Sequence, residues 1–189
     1  MPRLFTGLQL PAGISAEIEQ FRGGLSGTRW IEPADYHITL RFIGDVGLPL
    51  AREIDAELAA IENAAITVTI TGLDCFGGKK PRAIIAKVEA DAALTALQSS
   101  HERAVRRAGA AEDTRKFVPH ITIARLRNVQ PSAVGDYLYA RSIARTWRFI
   151  ADEFVLFSAR DSVGGSPYRV EAVYPLRVDA PVLRPAVSQ

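Results

Sequence analysis

The sequence predicts an α+β protein of two duplicated β-α-β-α-β units, a bilobal arrangement with antiparallel-type sheets facing a central groove and helices outside. Three observations carry this prediction. A His-x-Thr stretch occurs twice, as His37-Ile38-Thr39-Leu40 and His120-Ile121-Thr122-Ile123. The elements around each copy follow in the same order with a period of about 80 residues, as in a duplicated unit that packs against its twin about a pseudo-two-fold axis. Apolar residues alternate with period two where strands are expected, and recur at helical spacing between them.

Taken in order, residues 3–10 read as a strand, with Leu4, Leu8 and Leu10 on one face and Phe5 and Gly7 on the other, closed by Pro11 and Gly13. Ile14, Ile18, Phe21 and Leu25 then stripe a helix behind a Ser15 cap, and Gly23-Gly24 marks its end. Residues 30–33 form an extended link to the first His-x-Thr strand, 36–43, which Gly44 closes. Leu50, Ile54, Leu58 and Ile61 stripe a second helix, and Ile66, Val68 and Ile70 alternate with threonines as a strand. Residues 75–81, with Gly77-Gly78 and two lysines, are a turn.

There the order begins again. Residues 83–88 form a strand; Leu94, Leu97, Ala104 and Val105 stripe a helix that Gly109 ends; residues 117–125 form the second His-x-Thr strand. Pro131 precedes a helix carrying Val134, Leu138 and Ile143, residues 147–157 form one strand and 168–174 the last. The expected organisation is a single domain over 1–177, with lobes near 1–74 and 82–157, a closing strand at 167–175 and an irregular tail at 178–189.

Hydrophobic content of 48% with 23% charged residues is ordinary for a globular protein. No apolar run approaches the roughly 18 residues of a membrane span, and the N-terminus lacks the apolar stretch of a secretory signal, so a cytoplasmic address with no membrane partner is expected. The single cysteine, Cys75, excludes an internal disulfide framework and any multi-cysteine metal site. A net charge of +2 is too small to argue for nucleic acid by itself, although only Lys79, Lys80, Lys87 and Lys116 of the 23 basic residues are lysine. Arginine's planar fork suits phosphate, and an arginine-rich genome gives the same bias.

On a strand, His37 and Thr39 share a face, as do His120 and Thr122. Two imidazoles facing one groove suit a reaction in which one side chain takes a proton while the other gives one. In-line phosphodiester cleavage is such a reaction, since attacking and leaving oxygens lie on opposite sides of phosphorus. Thr39 and Thr122 could then hydrogen-bond the non-bridging oxygens. By strict alternation Arg41 shares the face of His37 and Thr39, to meet phosphate or a carboxylate; Arg125, at a strand end, can swing to either side. His101 reads as a helix-face residue, Trp30 as packing, and Lys79-Lys80 as a solvated turn with an RNA backbone as the alternative. The Gly77-Gly78 turn lacks the pattern of a phosphate-binding loop. Neither motif brings neighbouring carboxylate or thiolate ligands beyond Asp35, so no metal and no cofactor are expected.

The chain resembles the RNA 2′,3′-cyclic phosphodiesterases of the two-histidine phosphoesterase superfamily, also called 2′-5′ RNA ligases. The resemblance rests on Arg3-Leu-Phe-Thr-Gly-Leu8, on Trp30 ahead of His37-Ile-Thr-Leu-Arg-Phe-Ile-Gly44, and on Phe117-Val-Pro-His-Ile-Thr-Ile-Ala-Arg125. It implies a bilobal α+β fold with a central groove and metal-independent opening of a terminal 2′,3′-cyclic phosphate to a 2′-phosphate. The expected partner is an RNA or oligonucleotide with such an end, with small cyclic nucleotides as further candidates, and the expected state is a monomer. Carried over by position, His37 would be the general acid for the departing 3′-oxygen and His120 the base that activates water. Thr39, Thr122 and Arg125 would hold phosphate, with Arg41 a further candidate, and Phe5 would stack on the terminal base. The alternatives are joining of ends through a 2′-5′ bond in the reverse direction and a non-catalytic nucleotide- or RNA-binding module.

Overall fold

The computed structural model describes residues 3–141, 145–159 and 167–178. Their order is β1 (Arg3–Gln9), α1 (Ala12–Glu19), β2 (Thr28–Trp30), a 3-10 turn (Pro33–Asp35), β3 (His37–Asp45), α2 (Leu48–Ala59), β4 (Ile66–Phe76), β5 (Ala83–Val88), α3 (Ala92–Arg107), β6 (His120–Leu126), α4 (Pro131–Ala140), β7 (Trp147–Ala151), β8 (Glu153–Ala159) and β9 (Tyr168–Pro175). The predicted α+β class is observed. Ile143, at the end of the fourth predicted helical stripe, and the tail beyond residue 178 lie outside the described residues.

Local signals account for the boundaries of α3. The Asp91 carboxylate accepts the Leu94 amide at 2.7 Å as an N-cap, Arg106 and Arg107 sit at the negative end of the helix dipole, and Gly109 ends it with a φ of 98°. The buried face of α3, Leu94, Leu97, His101, Ala104 and Val105, packs across β3 and β4 and against α2. One helix therefore bridges the two sequence halves.

All strand pairing is antiparallel, in the order β7-β4-β5-β6-β3-β1-β8-β9, with β2 on β6. The two His-x-Thr strands meet at the centre, joined by the single pair Ile38–Ile121. Both isoleucines are fully buried beneath the sheet, each contributing on the order of 2 kcal/mol from its removal from water. Two expectations about organisation change here. β4 pairs with β5 and β7, so the predicted lobe boundary at residue 74 falls inside a strand of the second sheet half. Residues 147–157, read as one strand, divide at Asp152: β7 joins β4, whereas β8 crosses to β1. Alternation tells which face a residue takes but not which neighbour its strand pairs with.

His101, expected on a helix face, is fully buried; its Nδ1 lies 2.9 Å from the Thr6 hydroxyl and its ring meets the edge of Phe154. Burial pushes its pKa down to about 3. The unfolded chain therefore binds a proton near pH ~6.5 that the folded chain refuses, so stability falls as pH drops below that value, by about 1.4 kcal/mol per pH unit while the native ring stays neutral. Urea midpoints are expected to drop more steeply between pH 7 and pH 5 for the native protein than for His101→Gln, which cannot titrate; parallel losses would remove His101 as the cause.

Candidate active site

At the seam between the sheet halves a cavity of about 290 Å³ is lined by His37, Thr39, His120, Thr122, Arg125, Phe5, Phe42 and Tyr168, with Arg3, Ile31, Asp35 and Ala159. Its geometry follows from the Ile38–Ile121 pair. Continuing that antiparallel register sets His37 across from Thr122 and Thr39 across from His120, all four on the face opposite the buried isoleucines. Each of the two strands thus supplies one imidazole and one hydroxyl.

Both strands carry the same irregularity. Along β3 the partners of β1 jump from Arg41 to Thr39, leaving Leu40 unpaired; along β6 the partners of β5 jump from Ala124 to Thr122, leaving Ile123 unpaired. A β-bulge adds one residue and reverses the facing of everything beyond it. The fourth and fifth residues of each motif are therefore both buried, Leu40 with Arg41 and Ile123 with Ala124, and the sixth turns into the cavity: Phe42 in one copy, Arg125 in the other. Gly7 makes the first bulge possible, because a Cβ there would lie 2.7 Å from the Ile38 carbonyl oxygen.

This corrects the reading of Arg41. Its side chain is 4% exposed, on the helix side of the sheet, ion-paired with Glu102 of α3, 3.8 Å from Asp113 and bonded to the Ala111 carbonyl. It does not line the cavity. Arg125 does, and no carboxylate within the described residues pairs with it. Phe5 reaches the cavity wall but is 3% exposed, stacked on Phe157 at 4.9 Å and packed against His37 and Tyr168 at 5.0 and 5.2 Å, which leaves no open face for a base. The aromatic with an open face is Phe42, 40% exposed, with the Arg115 guanidinium 5.6 Å from its ring centre. Sequence reasoning missed Phe42 and Tyr168. Aligning the two motifs residue for residue pairs Phe42 with Arg125 and could have found the first; Tyr168 arrives through the β8–β9 hairpin, which no local pattern announces.

The two histidines are held alike. Nδ1 of His37 lies 2.7 Å from the Asp35 carbonyl oxygen, and Nδ1 of His120 lies 2.7 Å from that of Val118. A carbonyl can only accept, so each Nδ1 carries a proton and each Nε2 is left to exchange one. Burial pushes both pKa values down, and the Arg125 charge adds to this for both; His37 is lowered further by His120. Their settings differ. His37 stands in an aromatic enclosure of Phe5, Phe157 and Tyr168, whereas His120 meets, among the described aromatics, Phe76 alone, edge-on at 4.7 Å. Among the described residues no three His, Cys, Asp or Glu side chains gather as a metal site would require, and no helix is long and apolar enough to cross a membrane.

Residues 10–162 match the family model of the 2′-5′ RNA ligase superfamily. The chain is 32% identical over 130 residues to an RNA 2′,3′-cyclic phosphodiesterase of Bacillus subtilis (strain 168), covering 66% of this chain and 71% of that one. It is 31% identical over 184 residues to an RNA 2′,3′-cyclic phosphodiesterase of Geobacillus stearothermophilus, covering 91% of this chain and 56% of the relative. Among solved structures, E. coli LigT complexed with 3′-AMP superposes with a TM-score of 0.75 at 21% identity, over 93% of this chain and 99% of that one. TT0787 of Thermus thermophilus gives 0.74 at 22% identity, over 94% and 100%. These two establish likeness of fold.

Proposed function

Because the chain belongs to the 2′-5′ RNA ligase superfamily, we propose that it is an RNA 2′,3′-cyclic phosphodiesterase that opens the terminal cyclic phosphate to a 2′-phosphate. The observation that carries the reading is the pair of imidazoles whose Nδ1 protons are committed to main-chain carbonyls, leaving both Nε2 atoms for proton transfer at one cavity.

His120 Nε2 takes a proton from water as the water oxygen bonds to phosphorus. The bond from phosphorus to O3′ breaks, and His37 Nε2 gives its proton to the departing oxygen, producing a 2′-phosphomonoester and a free 3′-hydroxyl. Thr39 and Thr122 donate hydrogen bonds to the non-bridging oxygens as charge accumulates there, and Arg125 neutralises them. Phe42, in place of Phe5, offers its face to the terminal base. Bringing the anionic diester beside His37 favours imidazolium, so substrate binding itself helps to charge the acid. One chain supplies both histidines, which suits a monomer, and the lone Cys75 suits the reducing cytoplasm.

An oligoribonucleotide ending in a 2′,3′-cyclic phosphate is expected to become sensitive to phosphatase after incubation with the protein, at the same rate in excess EDTA, because arginine and imidazolium supply the positive charge. Abolition by EDTA with recovery on one specific divalent ion would overturn the metal-independent mechanism. Persistence of the cyclic end would overturn the activity.

A further inference from the structure

The two sides of the cavity differ in charge. On the side of β1 and β3, Arg3 is held 3.0 Å from Asp45, and the rim continues as Asp35, Phe42 and Tyr168. On the side of β6 the cations have no counter-ions among the described residues. Arg125 faces the cavity, and its cross-strand partner on β2, Arg29, projects from the same face. Arg127 follows two residues farther along, just past the end of β6. It lines a second, open cleft of about 720 Å³ at the end of the sheet, together with Lys79, Lys80 and Arg82 from the β4–β5 turn, Asn128 and Gln130 before α4 and Pro131 at its start.

Among the described residues, no Asp or Glu lines that cleft. Among the described residues, none of Arg29, Lys79, Lys80, Arg82 and Arg127 has a carboxylate partner. The turn is fixed in place: Gly77, at a φ of 116°, is so close to the Lys80 and Arg82 main chain that a Cβ could not be accommodated, and the Arg82 amide bonds back to the Phe76 carbonyl at 2.8 Å. The turn is also anchored to the cavity, because Phe76 meets the His120 ring at 4.7 Å. Charges of one sign spread this widely without partners cost stability through mutual repulsion, which a bound polyanion removes.

We propose that this cleft receives the RNA chain 5′ of the reacting end: Arg125 and Arg127 lead the backbone out of the cavity, and Lys79, Lys80 and Arg82 contact phosphates of the preceding nucleotides. The inference rests on the cyclic phosphodiesterase reading and deepens it from the terminal nucleotide to a single-stranded oligoribonucleotide. Arg125 is shared between the reacting phosphate and the chain leading from it, whereas Arg127, Lys79, Lys80 and Arg82 serve upstream binding alone. The flanking chain is gripped by charge, so the sequence next to the cyclic end matters little, while length matters.

The test compares the native protein with the triple variant Lys79→Ala/Lys80→Ala/Arg127→Ala on a mononucleoside 2′,3′-cyclic phosphate and on a hexaribonucleotide with the same end. At low salt the native kcat/KM is expected to favour the hexamer by about tenfold or more, and the variant to lose most of that preference while its mononucleotide kcat/KM stays within about twofold. The slope of log kcat/KM against log salt for the hexamer should flatten by about 0.7 for each phosphate contact removed. An unchanged hexamer preference in the variant, or no preference in the native protein, overturns the proposal. Binding of a fluorescent hexaribonucleotide separates the two readings. If neither substrate is turned over but the variant binds the hexamer markedly more weakly and with a flatter salt slope, the assigned activity falls and the RNA cleft stands; equal binding by the two proteins overturns the cleft.

Discussion

His37→Ala and His120→Ala are each expected to lower turnover of a 2′,3′-cyclic phosphate end by on the order of 10²–10⁴, with the double variant little worse than the poorer single. In the proposed mechanism the two imidazoles act on one transition state, so losing either leaves the other without its counterpart. Multiplying losses, or near-normal activity in one single variant, would contradict paired action. The pH profile of kcat/KM should be bell-shaped, because one imidazole must be charged and the other neutral, and its limbs belong to the pair. Burial pushes both rings down in the free protein, so the maximum is expected on the acid side of ~6.5. An aryl phosphodiester that the native protein accepts assigns the roles, since its leaving group departs without a proton. His37→Ala should keep proportionally more activity on that ester, and His120→Ala should fail on both substrates; the opposite pattern would exchange acid and base.

Arg41→Ala carries the largest expected cost to stability, roughly 3 kcal/mol, because it strands the Glu102 carboxylate beneath the sheet. Glu102 is 17% exposed, which holds the cost to the lower end of the range for broken buried pairs. In a domain of this size that corresponds to a fall of roughly 6–12 °C in Tm. Arg41→Met combined with Glu102→Gln should recover much of the loss, since neither side chain then needs a counter-charge. The pair also holds the loop before β6: Glu102 accepts the Asp113 amide at 3.3 Å, and Asp113 holds Arg115 at 2.7 Å beside Phe42. A variant with native Tm and a raised KM would return Arg41 to the role of a phosphate ligand.

Arg41 also marks where the sequence stopped being legible. The two His-x-Thr motifs, the helices between them and the central placement of both motif strands could be read directly, because they depend on local periodicity and on an internal repeat. The bulges at Leu40 and Ile123 could not. A bulge reverses facing through the partner strand's register, and nothing in Leu40-Arg41 or Ile123-Ala124 announces it, so strict alternation sent Arg41 to the groove and left Arg125 undecided. Phe5 failed for another reason: its enclosure comes from Phe157 and Tyr168, whose arrival depends on β8 crossing at Asp152 to pair with β1. His101 was legible only as a helix-face residue, because what α3 packs against, α2 and the strands β3 and β4, is set by tertiary contacts that no local pattern announces.

In the proposed mechanism water opens the ring at phosphorus while His37 protonates O3′, and phosphorus NMR of the reaction in ¹⁸O-enriched water reads which ester bond breaks. With an RNA ending in a 2′,3′-cyclic phosphate, one new phosphomonoester resonance is expected, assigned to the 2′-oxygen and carrying the isotope shift of a single ¹⁸O from solvent. A resonance assigned to the 3′-oxygen would contradict that mechanism, by showing that the other ester bond is the one cleaved.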